Sequence, residues 1–272
     1  MEIKFVTDEK IAETSSKGNQ EKWFDSDFQK WYKVDRVGYE ALSETVISRL
    51  LEKSNIKKDT PFTFVSYEME KVLVHNRKRN ACVSKNFLNE GQTIITVSHL
   101  LKQYTSGNIM NKLRNLPSDK KRVEYIAETV KEITGLESFP QYLTLLFEID
   151  SLFVNDDRHL NNIAVIEEKG VFSYCPVFDN GAGLLSDVMD LPMDIDPKGL
   201  IKTLKARPFN TTFNRQKNTA TALYGQQLMI PFFSKNEILS ELSDLLEFYP
   251  ERDRGIITDR VVDCILIRQR NN

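Results

Sequence analysis

The run FPQYLTLLFEIDSLFV, residues 139–154, is apolar on most of its faces at helical spacing, and it empties without a break into NDDRHLNN. A helix that is apolar nearly all round has to be buried, so this one belongs at the centre of a helical unit. Its C-terminal end then delivers aspartates, asparagines, an arginine and a histidine towards the same interior, where an unpaired carboxylate is costly. Capping and loop turns also favour Asp and Asn. The cluster taken alone fits either a turn or a site.

The chain upstream reads as strands and turns around one helix. MEIKFV alternates, WFDSDFQKWYKV has the aromatic and β-branched content of a strand or hairpin, and DTPFTFVSYEM, KVLVHN and NACVSKNFL follow as short strands. Between them Tyr39, Leu42, Val46 and Leu50 recur at helical spacing, which predicts an amphipathic helix over residues 39–53. Beyond residue 90 the pattern turns helical. ITVSHLLKQYT, DKKRVEYIAETVKEITG and the 139–154 run come first, followed by segments around 219–223, 235–248 and 258–268. GVFSYCPVFDNGAGLL, in the middle, holds short strand-like runs that end in a Gly-rich turn. The expected fold class is α+β, with a small sheet unit over residues 1–90 and a larger, mainly helical unit over 91–272.

Composition narrows the function classes. The 272 residues, 40% apolar and 10% aromatic, suffice for real cores in both units. A net charge of −2 gives no electrostatic case for direct nucleic-acid binding. Cys82, Cys175 and Cys264 are odd in number and far apart, which argues for a reducing, cytoplasmic setting over a disulfide framework. Three histidines exclude a His-rich zinc site. Neither a signal peptide nor a transmembrane segment is expected.

The spacing of the polar residues is more specific. Phosphoryl transfer needs an acidic residue at the attacking hydroxyl and oxygen ligands that hold magnesium against the phosphates. In the protein-kinase arrangement the catalytic Asp and a metal-binding Asn are five positions apart, and a second Asp follows a short hairpin later. Asp157 and Asn162 have that separation, and PVFDNGAG supplies Asp179 after a segment of hairpin length. This arithmetic selects Asp157 over Asp156 and Asn162 over Asn161. Lys33, on a strand-like run, is the candidate to meet the phosphates. Glu40, early in the predicted helix, would hold it, and Glu44, one turn on and on the same face, is the alternate. TSSKGNQEK precedes that strand: Gly18 lets backbone approach a phosphate, and Ser15 or Ser16 can bond to it.

Ser15-Ser16-Lys17-Gly18-Asn19-Gln20-Glu21-Lys22 resembles the Ser-x-x-Gly-x-Gln-x-Lys loop of HipA-type kinases, and NDDRHLNN with FDNGAG resembles their catalytic loop and metal-binding segment. The likeness runs in order through nearly the whole chain. It implies a protein-kinase-like bilobal fold, with a small antiparallel-sheet N-lobe and a larger helical C-lobe. It also implies ATP and Mg2+ as cofactors, and transfer to Ser/Thr hydroxyls of a protein substrate and of the enzyme itself. Asp157, Lys33 and Glu40 would be catalytic, and Asn162 and Asp179 would bind metal. Ser15, Ser16, Gly18, Gln20 and Lys33 would hold the nucleotide, with Ser15 or Ser16 the autophosphorylation site. The interlobe hinge that meets adenine is expected at Ser84, Lys85, Asn86 and Phe87.

The phosphate loop starts about fifteen residues in, which leaves no room in this sequence for the subdomain that precedes it in HipA. The resemblance is therefore to the short, CtkA-type form of the family, seen also in WYKVD, GYEAL and SKNFL. Docking to an antitoxin or other regulatory partner stays open, and delivery to host cells, known among short members, has no sequence signal here. Asp157-Arg158-His159 with Asn162 is also the arrangement of phosphatidylinositol-type lipid kinases. Those would require a basic headgroup patch, for which HNRKRN and SDKKR are modest candidates. A nucleotide-binding module that recognises a partner is the third reading. His159 is expected to orient the loop, and Arg158 to bridge to the Asp157 carboxylate, to meet an activation-segment phosphate, or to be solvated.

Overall fold

The computed structural model describes residues 4–6, 21–105 and 108–271. Strands β1 (Lys4–Val6), β2 (Lys22–Asp25), β3 (Lys30–Val34), β4 (Glu68–Val74) and β5 (Arg77–Lys85) form one sheet in the order β1-β4-β5-β3-β2. The pairings are antiparallel except at one edge, where β1 runs parallel to β4; the expected purely antiparallel sheet is corrected there. WFDSDFQKWYKV is the β2–β3 hairpin. Its register sets Trp23 opposite Tyr32, and the two rings stack with centroids 5.0 Å apart. Tyr32 and Val34 point into an apolar cluster with Val72, Val74, Ala81 and Val83. Strand alternation therefore turns Lys33, between them, to the opposite face.

That opposite face is covered by α1 (Glu40–Leu51). Leu42, Val46 and Leu50 are buried as their spacing predicts, but so are Ala41, Ser43, Glu44, Thr45 and Ile47. The helix is less a surface helix than a wedge, with the sheet on one side and the second lobe on the other. The segment DTPFTF, expected as a strand, is extended chain after a short α2 (Ile56–Asp59). Pro61 has no N–H to offer a ladder. Beyond it only a bridge from Phe64 to Val177 forms, with Val65 N–H donating to Val177 O at 2.9 Å.

The larger lobe comprises β6 (Thr93–Thr96), α3 (Val97–Tyr104), α4 (Ile109–Asn115), α5 (Asp119–Thr134), α6 (Phe139–Phe153), β7 (Ala164–Glu168) and β8 (Val171–Tyr174). It continues with α7 (Pro197–Thr203), α8 (Phe213–Tyr224), α9 (Lys235–Leu242), a 3-10 turn (Leu245–Phe248) and α10 (Glu251–Asn271). Strands β6, β7 and β8 make a second, antiparallel sheet. ITVSHLLKQYT is thus helical only from Val97. Thr96 ends a strand and its hydroxyl accepts the His99 N–H at 3.2 Å, capping α3. Every residue of α6 but Gln141 is buried, and α5, α8 and α10 pack round it. The architecture is the bilobal α+β fold that the sequence pattern predicts. Among the described residues no helix is long and apolar enough to cross a membrane, and the three cysteines are buried free thiols.

The lobes meet at the start of α1. A Cβ on Gly38 would lie 1.7 Å from Ser186 O, so only glycine lets the two backbones approach this closely. Next to it Tyr39 Oη donates to Leu184 O (2.7 Å) and Leu185 O (3.1 Å). Asp35, just before, accepts from Ala41 N–H (2.7 Å), Tyr249 Oη (2.8 Å) and Asn80 Nδ2 (3.3 Å), tying β3, α1, β5 and the chain before α10 together. Burial lifts its carboxyl to about 7 in spite of these bonds. The folded state therefore holds this proton through a range where the unfolded chain has lost it, from about pH 4 to 7. Stability contributed by Asp35 should rise as pH falls from 8 to 5, and that gain should be missing in Asp35→Asn. Urea midpoints of the two proteins across this range test the point, and equal pH slopes would exclude it.

Candidate active site

The polar cluster is delivered by a backbone reversal. Val154, which caps α6, has φ +55°, a left-handed conformation that a β-branched residue rarely adopts. It turns the chain so that the NDDRHLNN loop lies back against the helix it has just left. Arg158, with no exposed side-chain surface, fixes it there. Its Nε lies 3.1 Å from both carboxylate oxygens of Asp150 on α6, and Nη2 donates to Asp150 Oδ1 (3.0 Å) and to Asn180 Oδ1 (2.6 Å). Nη1 donates to Phe178 O (2.6 Å) and Asn162 O (3.2 Å). The expected bridge from Arg158 to the Asp157 carboxylate is corrected: its carboxylate partner is Asp150, and with no exposed surface it is not solvated either. Burial alone would lower its pKa, but the Asp150 carboxylate outweighs that and raises it. Asn155 adds a second tie, from Nδ2 to Asp150 Oδ1 (3.1 Å) and to Asp179 O (3.2 Å).

The loop and the segment after β8 are thereby set side by side. Asn162 Nδ2 donates to Asp157 O at 3.0 Å, which fixes the orientation of its amide. The Asp157 carboxylate is 47% exposed, 3.5 Å from Arg207 Nη1 and 3.7 Å from His159 Nε2. Burial raises its pKa; His159 and Arg207 oppose the rise, and the nearby Asp179 charge adds to it. His159 Nδ1 is buried without a partner among the described residues. Asp179 itself sits at φ +62°, tolerable for Asp, and aims its carboxylate at the small lobe.

There Lys33 Nζ meets two carboxylates, Asp179 Oδ1 at 2.7 Å and Glu44 Oε1 at 2.8 Å, with the Tyr67 ring 5.5 Å away. Burial works against the ammonium, but Asp179 and Glu44 together raise its pKa well above the usual value. For Asp179, burial works against ionisation and is outweighed by Lys33, Lys22 and Arg158, which bring it down to about 2. Lys22, opposite Lys33 in the β2–β3 register, lies by the same carboxylate. Glu44 is buried, and its other oxygen accepts the Asn180 N–H at 2.9 Å. The partner of Lys33 is therefore Glu44, and the expectation for Glu40 is corrected. The Glu40 carboxylate instead accepts the backbone N–H groups of Arg36, Val37 and Gly38, at 3.3, 3.3 and 3.2 Å. Glu40 stands at the open end of α1, where unpaired N–H groups need an acceptor, while Glu44 lies one turn deeper, beneath the sheet.

Of the remaining candidates, Ser15, Ser16, Gly18 and Gln20 lie outside the described residues. Ser84 and Lys85 close β5, with Ser84 opposite Trp31. Asn86 and Phe87 lead on towards β6. The Asn86 side chain bonds to Trp31 Nε1 (3.4 Å) and to the Leu88 backbone, and Phe87 packs 6.4 Å from Phe178, next to Asp179. Lys22 entered the sequence reading only as the last residue of the phosphate-loop motif, and Asp150, Asn155, Asn180 and Arg207 were not singled out. Of these four only Asp150 gave a legible signal, as one of two charges, with Glu148, in a mostly apolar helix and eight residues before Arg158. Among the described residues no three His, Cys, Asp or Glu side chains gather as a metal cage. Asn162 and Asp179 offer hard oxygen atoms of the kind magnesium takes when phosphates and water complete its shell.

These roles separate by mutation. Glu44→Ala removes one of two counter-charges from a buried lysine and the acceptor of Asn180, and should cost about 3 kcal/mol. Glu40→Ala should cost about 1 kcal/mol, the order of the loop hydrogen bonds it accepts. Urea denaturation of both variants measures this, and the reverse order would refute the assignment.

No protein-family model matches the sequence, and no curated protein matches it. Solved structures do. The Helicobacter pylori proinflammatory kinase CtkA aligns with a TM-score of 0.61 at 15% identity, over 94% of this chain and 93% of CtkA. HipA of Shewanella oneidensis MR-1, from a complex with HipB and operator DNA, aligns with a TM-score of 0.50 at 14% identity over 94% of this chain. This chain spans 64% of that HipA. Its fold is thus the one that CtkA and HipA share.

Proposed function

We propose that the protein is an ATP- and magnesium-dependent kinase that phosphorylates serine or threonine residues of protein substrates and of its own phosphate loop. The observation that carries this reading is Lys33, bonded at once to Glu44 and Asp179, while Arg158 ties the Asp157 loop to the Asp179 segment. The fold shared with two proteins named as kinase and toxin supports it.

In this reading Asp157 orients the acceptor hydroxyl and takes its proton. Lys33, kept in place by Glu44, aligns the α and β phosphates. Asn162 and Asp179 hold magnesium, which when bound neutralises charge on the β- and γ-phosphate oxygens. Lys33 would exchange Asp179 for phosphate oxygens, and the Asp179 carboxylate would then be left to hold the metal. The N-lobe is residues 1–90 and the C-lobe 91–272, with Ser84 to Phe87 as the adenine-facing hinge. Ser15 and Ser16 are the autophosphorylation candidates. HipA is bound to HipB in its solved structure, so an antitoxin-type protein is the regulatory partner to seek by co-purification.

Incubation with γ-labelled ATP and Mg2+, alone and with a basic protein, should label protein. Mass spectrometry should find phosphate on Ser15 or Ser16. Asp157→Ala should keep the thermal shift given by ATP and Mg2+ but lose transfer by on the order of 10²–10⁴-fold. A wild-type protein that labels neither itself nor the added protein would refute the reading. Label confined to phosphatidylinositol vesicles would transfer the assignment to a lipid kinase.

A further inference from the structure

The loop that carries Asp157 supplies no free cation to the transferring group. Arg158 is fully buried and engaged with Asp150, Asn180 and two carbonyls. Lys33 and Lys22 stand on the small-lobe side, by Asp179. Carboxylates crowd the rest of the cleft floor. Asp156 lies beside Asp157 with Asp187 in range, and their charges would repel an anionic phosphoryl group. Phosphoryl transfer relies on positive charge placed where the equatorial oxygens pass. We propose that Arg207 provides it. This residue, from the chain between α7 and α8, stands beside Asp157 and engages the phosphoryl group as it moves to the acceptor. The inference rests on the kinase reading above.

Three observations support it. The Arg207 guanidinium is 3.5 Å from Asp157 Oδ1, on a carboxylate that must itself lie within about 2.6–3.2 Å of the attacking hydroxyl. Its side chain is 57% exposed, so its remaining N–H groups are open to a ligand. The backbone beneath it is held far more firmly than a solvated arginine requires. Ala206 and Thr211 exchange N–H···O bonds of 2.7 and 3.3 Å, and the buried Gln216 donates from Nε2 to Arg207 O at 2.7 Å. Phe209 packs edge-on against Phe147 of α6, with centroids 5.9 Å apart. Asp157 and Arg207 are thus both referenced to α6.

The chemistry gives the pairing a purpose. The acceptor oxygen forms a bond to the γ-phosphorus, the bond from that phosphorus to the β,γ-bridging oxygen breaks, and the electron pair leaves with ADP. The hydroxyl proton passes to Asp157. As Asp157 becomes neutral, its attraction for Arg207 falls while the phosphoryl oxygens still carry charge. The guanidinium can then turn from carboxylate to phosphoryl group with no new charge brought into the cleft. Arginine suits this better than lysine because its fork can serve two oxygens at once.

The test compares wild type, Arg207→Ala and Arg207→Lys. With labelled ATP and Mg2+, Arg207→Ala should lower kcat by on the order of 10²–10³-fold, the loss seen for a positioned transition-state donor. KM for ATP should stay within about threefold, the signature of an interaction made only in the transition state. Arg207→Lys should recover about tenfold of the loss. A second readout needs no turnover. Fluoroaluminate added to ADP and Mg2+, as a phosphoryl mimic, should raise the Tm of wild type further and that of Arg207→Ala little. Melting without ligand should be unchanged, since the side chain is exposed. Unaltered kcat in Arg207→Ala, or an equal fluoroaluminate increment in both proteins, would overturn this inference and leave the kinase reading standing. A wild-type protein with neither a nucleotide shift nor transfer would overturn both.

Discussion

The Arg158–Asp150 pair is what the rest of the site depends on. Burying an arginine and an aspartate is favourable only when nearly every polar atom finds a partner, and here all three guanidinium nitrogens do. Because Asp150 belongs to α6, the most enclosed helix of the large lobe, the loop bearing Asp157 inherits the rigidity of the core. The same guanidinium continues outwards to Asn180 Oδ1, Asn180 N–H reaches Glu44, and Glu44 reaches Lys33. One unbroken series of charge-assisted hydrogen bonds therefore runs from the centre of the C-lobe to a strand of the N-lobe. Such a series resists partial disruption, since removing any member strands a buried charge.

Strain lies at the two ends of this network. Val154 and Asp179 both have positive φ, and each stands where chain leaves an ordered element to present a site carboxylate. Their neighbours over-determine the conformations. Asn155 bonds back to Asp150 and across to the Asp179 carbonyl, while Lys33 draws the Asp179 side chain towards the small lobe. Both junctions are tied to other elements, as expected where geometry serves chemistry.

This explains what could be read in the sequence and what could not. Asp157, Asn162, Asp179 and Lys33 were legible because spacing along a loop, a hairpin and a strand is a local property. The central helix was legible from its own apolar faces, and the hairpin from its aromatic strands. Glu44 against Glu40 was not decidable, because both share a helical face and only the depth of α1 beneath the sheet separates them. Arg207 was invisible, lying fifty residues beyond Asp157 in a stretch with no motif, and brought near only by the packing of Phe209 on α6. Strand β6 was read as helix because its four residues are too few to show a period before the Thr96 cap. The phosphate loop that carries Ser15, Ser16, Gly18 and Gln20 lies outside the described residues.

The ionisation pattern constrains how the site can fill. Lys33 stays protonated and Asp179 ionised, each held so by the other, and Glu44 keeps a grip on the lysine that nothing else shares. On the kinase reading, a phosphate that reaches Lys33 has to displace Asp179. The released carboxylate would then face an anion across a cleft already holding Asp157 and Asp156. Lys22 can offset part of that charge, but as a single ammonium half out of water its pKa is lowered by burial and by Lys33. Asp179 can give up Lys33 only by gaining another cation, and with Asn162 beside it the hard oxygens for a divalent ion are in place. On that reading, nucleotide and magnesium would enter together. Glu44 can keep Lys33 through the exchange because its second oxygen is already committed to the Asn180 backbone.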